Sequence, residues 1–236
     1  MMMRSFMVFR GIVSLIVLTN ATGQEPEELR EESMIPLITL DDDAVATNSK
    51  VELYVVDDPV MGGESRSESS YVTGEENYIT WAGEVVDVPF LAAPGFCALE
   101  TSRHNELNDV SQADAITIEV RSQTPDYQGF KFSFTSTFTS RPFYSYKSDF
   151  YLSSSTDWQT VTIPFDNFTD DWSPYTGNAI IPCSTETPQY CPQEKDLAHL
   201  THIEILAEGI NGEFQLDVKG IYASFSQKPS TSLRTE

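Results

Sequence analysis

Basic residues are scarce in this chain: Lys and Arg number 14 against 36 Asp and Glu, for a formal charge of -22 over 236 residues. A surface this acidic repels phosphate backbones and anionic lipid, which argues against nucleic acid and membrane surfaces as partners and leaves a bound cation welcome. Long apolar runs are lacking too. The one candidate, Ile12 to Leu18, falls short of the roughly 20 residues that a spanning helix needs, so no membrane span is expected in the mature chain. Histidine is limited to His104, His199 and His202, no serine sits in a G-x-S-x-G elbow, and no phosphate loop occurs. No set of nucleophile, base and orienting group can be assembled, so the chain reads as a binding protein and not an enzyme. Adjacent acids such as Asp57-Asp58 and Asp170-Asp171 are expected by composition alone and read as solvated loop residues.

The N-terminus carries Arg4 and Arg10 ahead of the short apolar run, then small residues at Ala21 and Gly23. That is the layout of a secretory signal over residues 1–23. A mitochondrial presequence, the alternative destination, would be amphipathic and rich in Arg and Ser, whereas this run is apolar all round and is followed at once by QEPEELREES. An acidic leader over residues 24–34 then precedes one domain over 35–225, and the polar stretch SQKPSTSLRTE reads as a disordered tail over 226–236. Cysteines are only three. Cys183 and Cys191 share a loop rich in Pro, Thr and Ser, where a disulfide would contribute about 2–3 kcal/mol in the chain-entropy account. A zinc site made from them with His199 and His202 is the alternative, but structural zinc prefers cysteines about two to four residues apart. Cys97, in GFCALE, is expected to be a buried free thiol, and Asn167-Phe168-Thr169 is a glycosylation acceptor. His199 and His202 flank the entry to a strand, HIEILAE, one exposed and one half-buried.

Short runs of β-branched and aromatic residues follow one another from Met34 on: IPLITL, VELYVV, YITWAGEVV, FCALET, AITIEV, FKFSFTST, FYSYKSDFYL, WQTVTIPF, HIEILAE and EFQLDVKGIYASF. No pattern of helical period separates them, so the chain is expected to be all-β, a sandwich or barrel. Alternation sets the faces. Ile116, Ile118 and Val120 point one way against Thr117, Glu119 and Arg121, and Phe130, Phe132 and Phe134 point inward against Lys131 and Ser133. Val161 and Ile163 repeat the pattern, so each of two antiparallel sheets should bury one face and wet the other.

One stretch, VDDPVMGGES, breaks the run of strands. Its adjacent glycines can turn the chain or admit another backbone closely, and Asp58 can accept hydrogen bonds from nearby amides, while a direct contact with a ligand is the alternative role. As a set these residues resemble the hallmark of the complex I intermediate-associated protein 30 family, a strand ending in Asn-Asp and then Val-Met-Gly-Gly and Ser. Asp57 stands for the Asn, and Asp58, Val60, Met61, Gly62, Gly63 and Ser65 match. Further blocks follow in order: ITWAGEVV with Gly83 kept and Trp81 for Phe, and PGFCALETS with Gly95 and Phe96 kept. Asp114, Val120, Tyr127 and Lys131 then fall in register, as do Trp158, Val161, Ile163, Pro164, Phe165 and Phe168, and GEFQLDVKGIYA closes the series. The connection from Asp171 to Leu197 is longer than is usual in the family.

The resemblance implies a galactose-binding-like jelly-roll β-sandwich of two antiparallel sheets, without enzyme activity. It implies a protein-binding module of the assembly-chaperone kind, as in the family members that assemble mitochondrial complex I. The fold's relatives imply a secreted carbohydrate-binding module instead, so the expected partner is a protein or a glycan. No cofactor is implied beyond a structural calcium, for which Asp41, Asp42 and Asp217 in the first and last strands are the candidate ligands.

Overall fold

A computed structural model of the chain describes residues 34–40, 52–58, 62–139 and 145–225. The signal-like segment, the leader up to residue 33, the C-terminal tail and the residues Asp41, Asp42, Val60 and Met61 lie outside them. Among the described residues no helix is long and apolar enough to cross a membrane.

Two antiparallel sheets pack face to face. The first contains β1 (Ile35–Thr39), β3 (Arg66–Val72), β4 (Tyr78–Val85), β8 (Ala115–Ser122), β11 (Gln159–Pro164) and β13 (Gly212–Ser224), in the order β11-β8-β13-β4-β3 with β1 also paired to β13. The second contains β2 (Leu53–Asp57), β7 (Phe96–Thr101), β9 (Phe130–Ser136), β10 (Tyr146–Asp149) and β12 (Leu200–Glu208), in the order β10-β9-β12-β7-β2. A small hairpin, β5 (Asp87–Val88) with β6 (Ala93–Pro94), projects between β4 and β7. One short helix, α1 (Glu194–Leu197), ends the long connection before β12. Its Asp196 carboxylate accepts from the Gln193 backbone N–H and from the hydroxyls of Ser136 and Tyr146, which ties the end of that connection to the second sheet.

The strands form where side-chain alternation lets one face join a common core. Ile116, Ile118, Val120, Phe130, Phe132, Phe134, Leu216, Val218 and Ile221 are all buried there, with Trp81 and Phe214 in edge contact at 4.6 Å. Burying such large rings supplies most of the drive for the two sheets to close. First and last strands are neighbours, Ile35 opposite Ala223 and Thr39 opposite Gly220.

The outer face of the second sheet departs from the expected pattern. Lys131 and Ser133 alternate with the core phenylalanines, yet both are buried. The connection after β11 folds back over this face, where Asn178 accepts from Lys131, and Gly177 lies so close to Glu208 that a Cβ there would overlap its carboxylate. The half of the alternation read as wet is therefore largely covered. A loop distant in sequence supplies the cover, and that is why periodicity could not reveal it.

Candidate functional site

Two constellations stand out, one at the signature loop and one on the outer face of the second sheet. In the first, the chain leaves β2 at Asp57, turns through Gly62 (φ 84°) and enters β3. Asp58 is buried and not solvated, contrary to the composition argument. Its carboxylate accepts from Ser65 N–H at 2.9 Å, from the Ser65 hydroxyl at 2.8 Å and from Phe96 N–H at 3.3 Å. Three donors hold the charge where water cannot. Both Gly63 and Gly95 face that carboxylate so closely that a Cβ on either would collide with it, and the Gly63 amide donates to the Asp58 carbonyl. Asp57 accepts from the Ser67 amide and hydroxyl at 2.7 and 2.6 Å, while the Ser65 hydroxyl accepts from Val86 N–H at 3.1 Å. The stretch thus joins β2, β3, the end of β4 and the start of β7 around one carboxylate.

That junction carries the β5–β6 hairpin. Leu91 and Ala92 N–H groups both donate to the Val88 carbonyl, Gly95 N–H donates to Val86, and the Asn211 side chain donates to Asp87 at 2.8 Å. Ala92 holds φ 51°, in the left-handed region that non-glycine residues seldom occupy. At the tip, Phe90 is 70% exposed and Leu91 40%.

The second constellation crosses the outer face of the other sheet. Tyr54, Glu100, Glu204, Ser133 and Lys147 follow one another in register across β2, β7, β12, β9 and β10. Of the two histidines read as one exposed and one half-buried, His199 is exposed and His202 is fully enclosed. The Thr101 hydroxyl donates to the Ser102 carbonyl and accepts from Ile203 N–H, so the remaining contact with His202 Nδ1, at 3.2 Å, is assigned as Nδ1–H donating to Thr101. His202 Nε2 lies 3.0 Å from Glu204 Oε1 and 3.5 Å from Glu100 Oε2. Burial alone would lower the His202 pKa, but its hydrogen bonds to the two glutamates outweigh that and raise it to about 9. Burial likewise opposes ionisation of Glu204, and the facing His202 reverses this, holding the carboxyl below its usual range. Farther along the face, Lys147 Nζ sits 2.6 Å from Glu208 and 3.8 Å from the centroid of the Trp172 ring. Lys131 is paired with Asp149 and donates to Asn178 at 3.0 Å.

Glu100, Glu204, Lys147 and Glu208 were not candidates on sequence grounds; as a ligand His202 was weighed only for zinc beside Cys183, Cys191 and His199, and Lys131 was named only as an outward-facing match to the family pattern. Their signal was present in part. All lie at alternate positions of apolar strands, where several charges on one face mark something other than an ordinary solvated surface.

Cys183 and Cys191 form a disulfide, which removes the zinc alternative, and Cys97 is free and buried. Burial first, and then the nearby Asp57, drives the Cys97 thiol far above its usual range. Asn167 is exposed, while Thr169 of the same sequon is buried with its hydroxyl donating to the Ile181 carbonyl. Of the calcium candidates, only Asp217 falls among the described residues. Its Oδ2 accepts from Arg121 Nε at 2.9 Å and from NH2 at 2.7 Å, and the guanidinium stacks on Trp158 at 4.5 Å.

Several solved structures are distantly similar. The family 11 carbohydrate-binding module from Clostridium thermocellum, in complex with a β-1,3-1,4-mixed-linked tetrasaccharide, shares 15% identity over 82% of this chain and 98% of its own, with TM-score 0.47. A family 30 carbohydrate-binding module of a cellulosomal cellulase from the same organism shares 13% over 74% and 99%, with TM-score 0.40. An exo-β-agarase shares 10% over 82% of this chain and 25% of its own, with TM-score 0.45. A comparison with curated proteins found no match. The family model described as Complex I intermediate-associated protein 30 (CIA30) matches residues 43–218, a span that includes both constellations. With most of its length matched, the chain belongs to the CIA30 family.

Proposed function

We infer that the chain is a non-catalytic module that binds a protein partner, with the β5–β6 hairpin as its point of contact. The observation that carries this reading is the Phe90-Leu91 tip, two large apolar side chains held out to solvent on a turn fixed by backbone hydrogen bonds and braced by the Asp58 junction. Single exposed apolar residues are ordinary, but an adjacent pair on a rigid support is the form that interface anchors take. The signature loop lies beside it: a Cβ added at Gly62 would come within 3.5 Å of the Phe90 ring. The signal-like N-terminus and the Cys183–Cys191 bridge support action in the secretory pathway. A second reading, glycan binding, is favoured by Tyr54, a 40%-exposed ring in register with Glu100, with the Arg103 guanidinium close to both Glu100 and Glu204. A ring beside hydrogen-bonding charges suits a sugar.

One comparison separates the two. The chain bearing a photo-crosslinking residue at position 90 should label a discrete protein partner, and Phe90→Ala with Leu91→Ser should abolish capture while leaving the melt unchanged. Affinity electrophoresis through soluble polysaccharides should show no retardation. Retardation lost in Tyr54→Ala, with no crosslink at position 90, would establish the glycan reading instead.

A further inference from the structure

We propose that Glu100, His202 and Glu204 form a binding site for a first-row divalent metal ion of the zinc type, a site distinct from the hairpin contact. The three come from adjacent strands, β7 and β12, where Glu100 and Glu204 stand directly opposite one another. One donor atom from each, His202 Nε2 and a carboxylate oxygen from each glutamate, lies within 4.8 Å of the other two. The individual separations are informative. Tetrahedral zinc with bonds of about 2.0–2.1 Å places its donors roughly 3.3 Å apart, and here Nε2 is 3.0 Å from Glu204 Oε1 and 3.5 Å from Glu100 Oε2.

Supporting contacts are arranged as a metal site requires. The Nδ1–H of His202 is directed to the Thr101 hydroxyl, so it is Nε2 that faces the two carboxylates and whose proton an incoming cation would displace. Glu204 is held through its other oxygen, which accepts from the Ser133 hydroxyl at 2.8 Å. Such outer contacts orient ligands and raise metal affinity. One imidazole and two carboxylates favour a zinc-like ion over calcium, which takes oxygen ligands alone. Three protein ligands would leave a fourth position for water or a further ligand, and Arg103 lies beside both carboxylates. That side chain is 51% exposed, and its NH2 atom is 3.7 Å from Glu204 and 4.0 Å from Glu100, close enough to cover the mouth but too far for good hydrogen bonds. The lone pairs that share a proton in the metal-free protein are those that a cation would take.

The test uses the full mature chain, purified with chelator and then dialysed. Titration with Co2+ should give one equivalent of a visible absorption band of the intensity typical of four-coordinate sites, and Zn2+ should displace it. Glu204→Gln and Glu100→Gln should each abolish the band, Ser133→Ala should weaken binding about 10-fold, and Arg103→Gln should tighten it by removing a positive charge from the mouth. Glu100→Gln keeps the test decisive if Glu204→Gln does not fold, because Glu100 accepts no hydrogen bond from Ser133. No band from the parent chain at excess Co2+ would overturn the proposal. So would a band that survives both glutamine variants, since the ion would then sit elsewhere among the acids.

Discussion

Asp58 shows how one carboxylate can dictate its neighbours. Because it is buried between two backbones and satisfied by three donors, it forbids side chains at Gly63 and Gly95, and the conformational freedom of glycine matters there less than its lack of volume. Gly95→Ala is therefore expected to cost about 2–3 kcal/mol or more by forcing the carboxylate off its donors. In an Asp58→Ala background the obstacle is gone, and the same substitution should cost at least about 1 kcal/mol less. Urea melts of the four chains measure this, and strictly additive losses would show that the contact does not matter. Little of this was legible beforehand. In a chain with 36 acids an Asp-Asp pair looks solvated; turn chemistry and the family hallmark marked Asp58 as an acceptor for nearby amides, but nothing local marked it as buried.

Two lysines, together with the backbone bridge between Lys147 and Thr169, hold the long connection to the second sheet. The connection after β11 lies over the second sheet because Lys147 is clasped between Glu208 and the Trp172 ring, and because Lys131 reaches both Asp149 and Asn178. The two pairs differ in burial: Glu208 is enclosed, whereas the Asp149 side chain is 42% exposed. Lys147→Met should cost about 3–5 kcal/mol, since it leaves a buried carboxylate unpaired. Lys131→Met should cost distinctly less, because Asp149 can turn to water. Denaturant unfolding of both variants decides the order, and the reverse order would contradict this account of the cover. Periodicity was enough to locate β8 and β9, where Ile116, Ile118 and Val120 or Phe130, Phe132 and Phe134 repeat every second residue. It could not locate β3, RSESSYV, whose side chains are largely polar and whose existence depends on pairing with β4. Nor could it show that Gly177 meets Glu208, because that contact joins residues with no local pattern in common.

Across the whole molecule the excess of acid acts as a diffuse repulsion that the buried ion pairs do not relieve. Raising KCl from about 0.02 M to 0.3 M shrinks the screening length from roughly 20 Å to under 10 Å, which weakens repulsion between surface acids and scarcely touches enclosed pairs. The Tm measured by calorimetry should rise over that range, and a fall would mean that exposed ion pairs outweigh the net charge. The order of strands has a further consequence, for how the protein comes to be folded. β12 lies between β9 and β7, and β13 between β8 and β4, so the strands at the middle of the sheets come after all the other described strands. During synthesis β4, β7, β8 and β9 leave the ribosome before the strands that will join them, and neither sheet can be completed from what has emerged. β12 and β13, one in each sheet and joined by the turn at Gly209, are the keystone, and until they arrive the nascent chain depends on its surroundings to keep its unpaired edges apart.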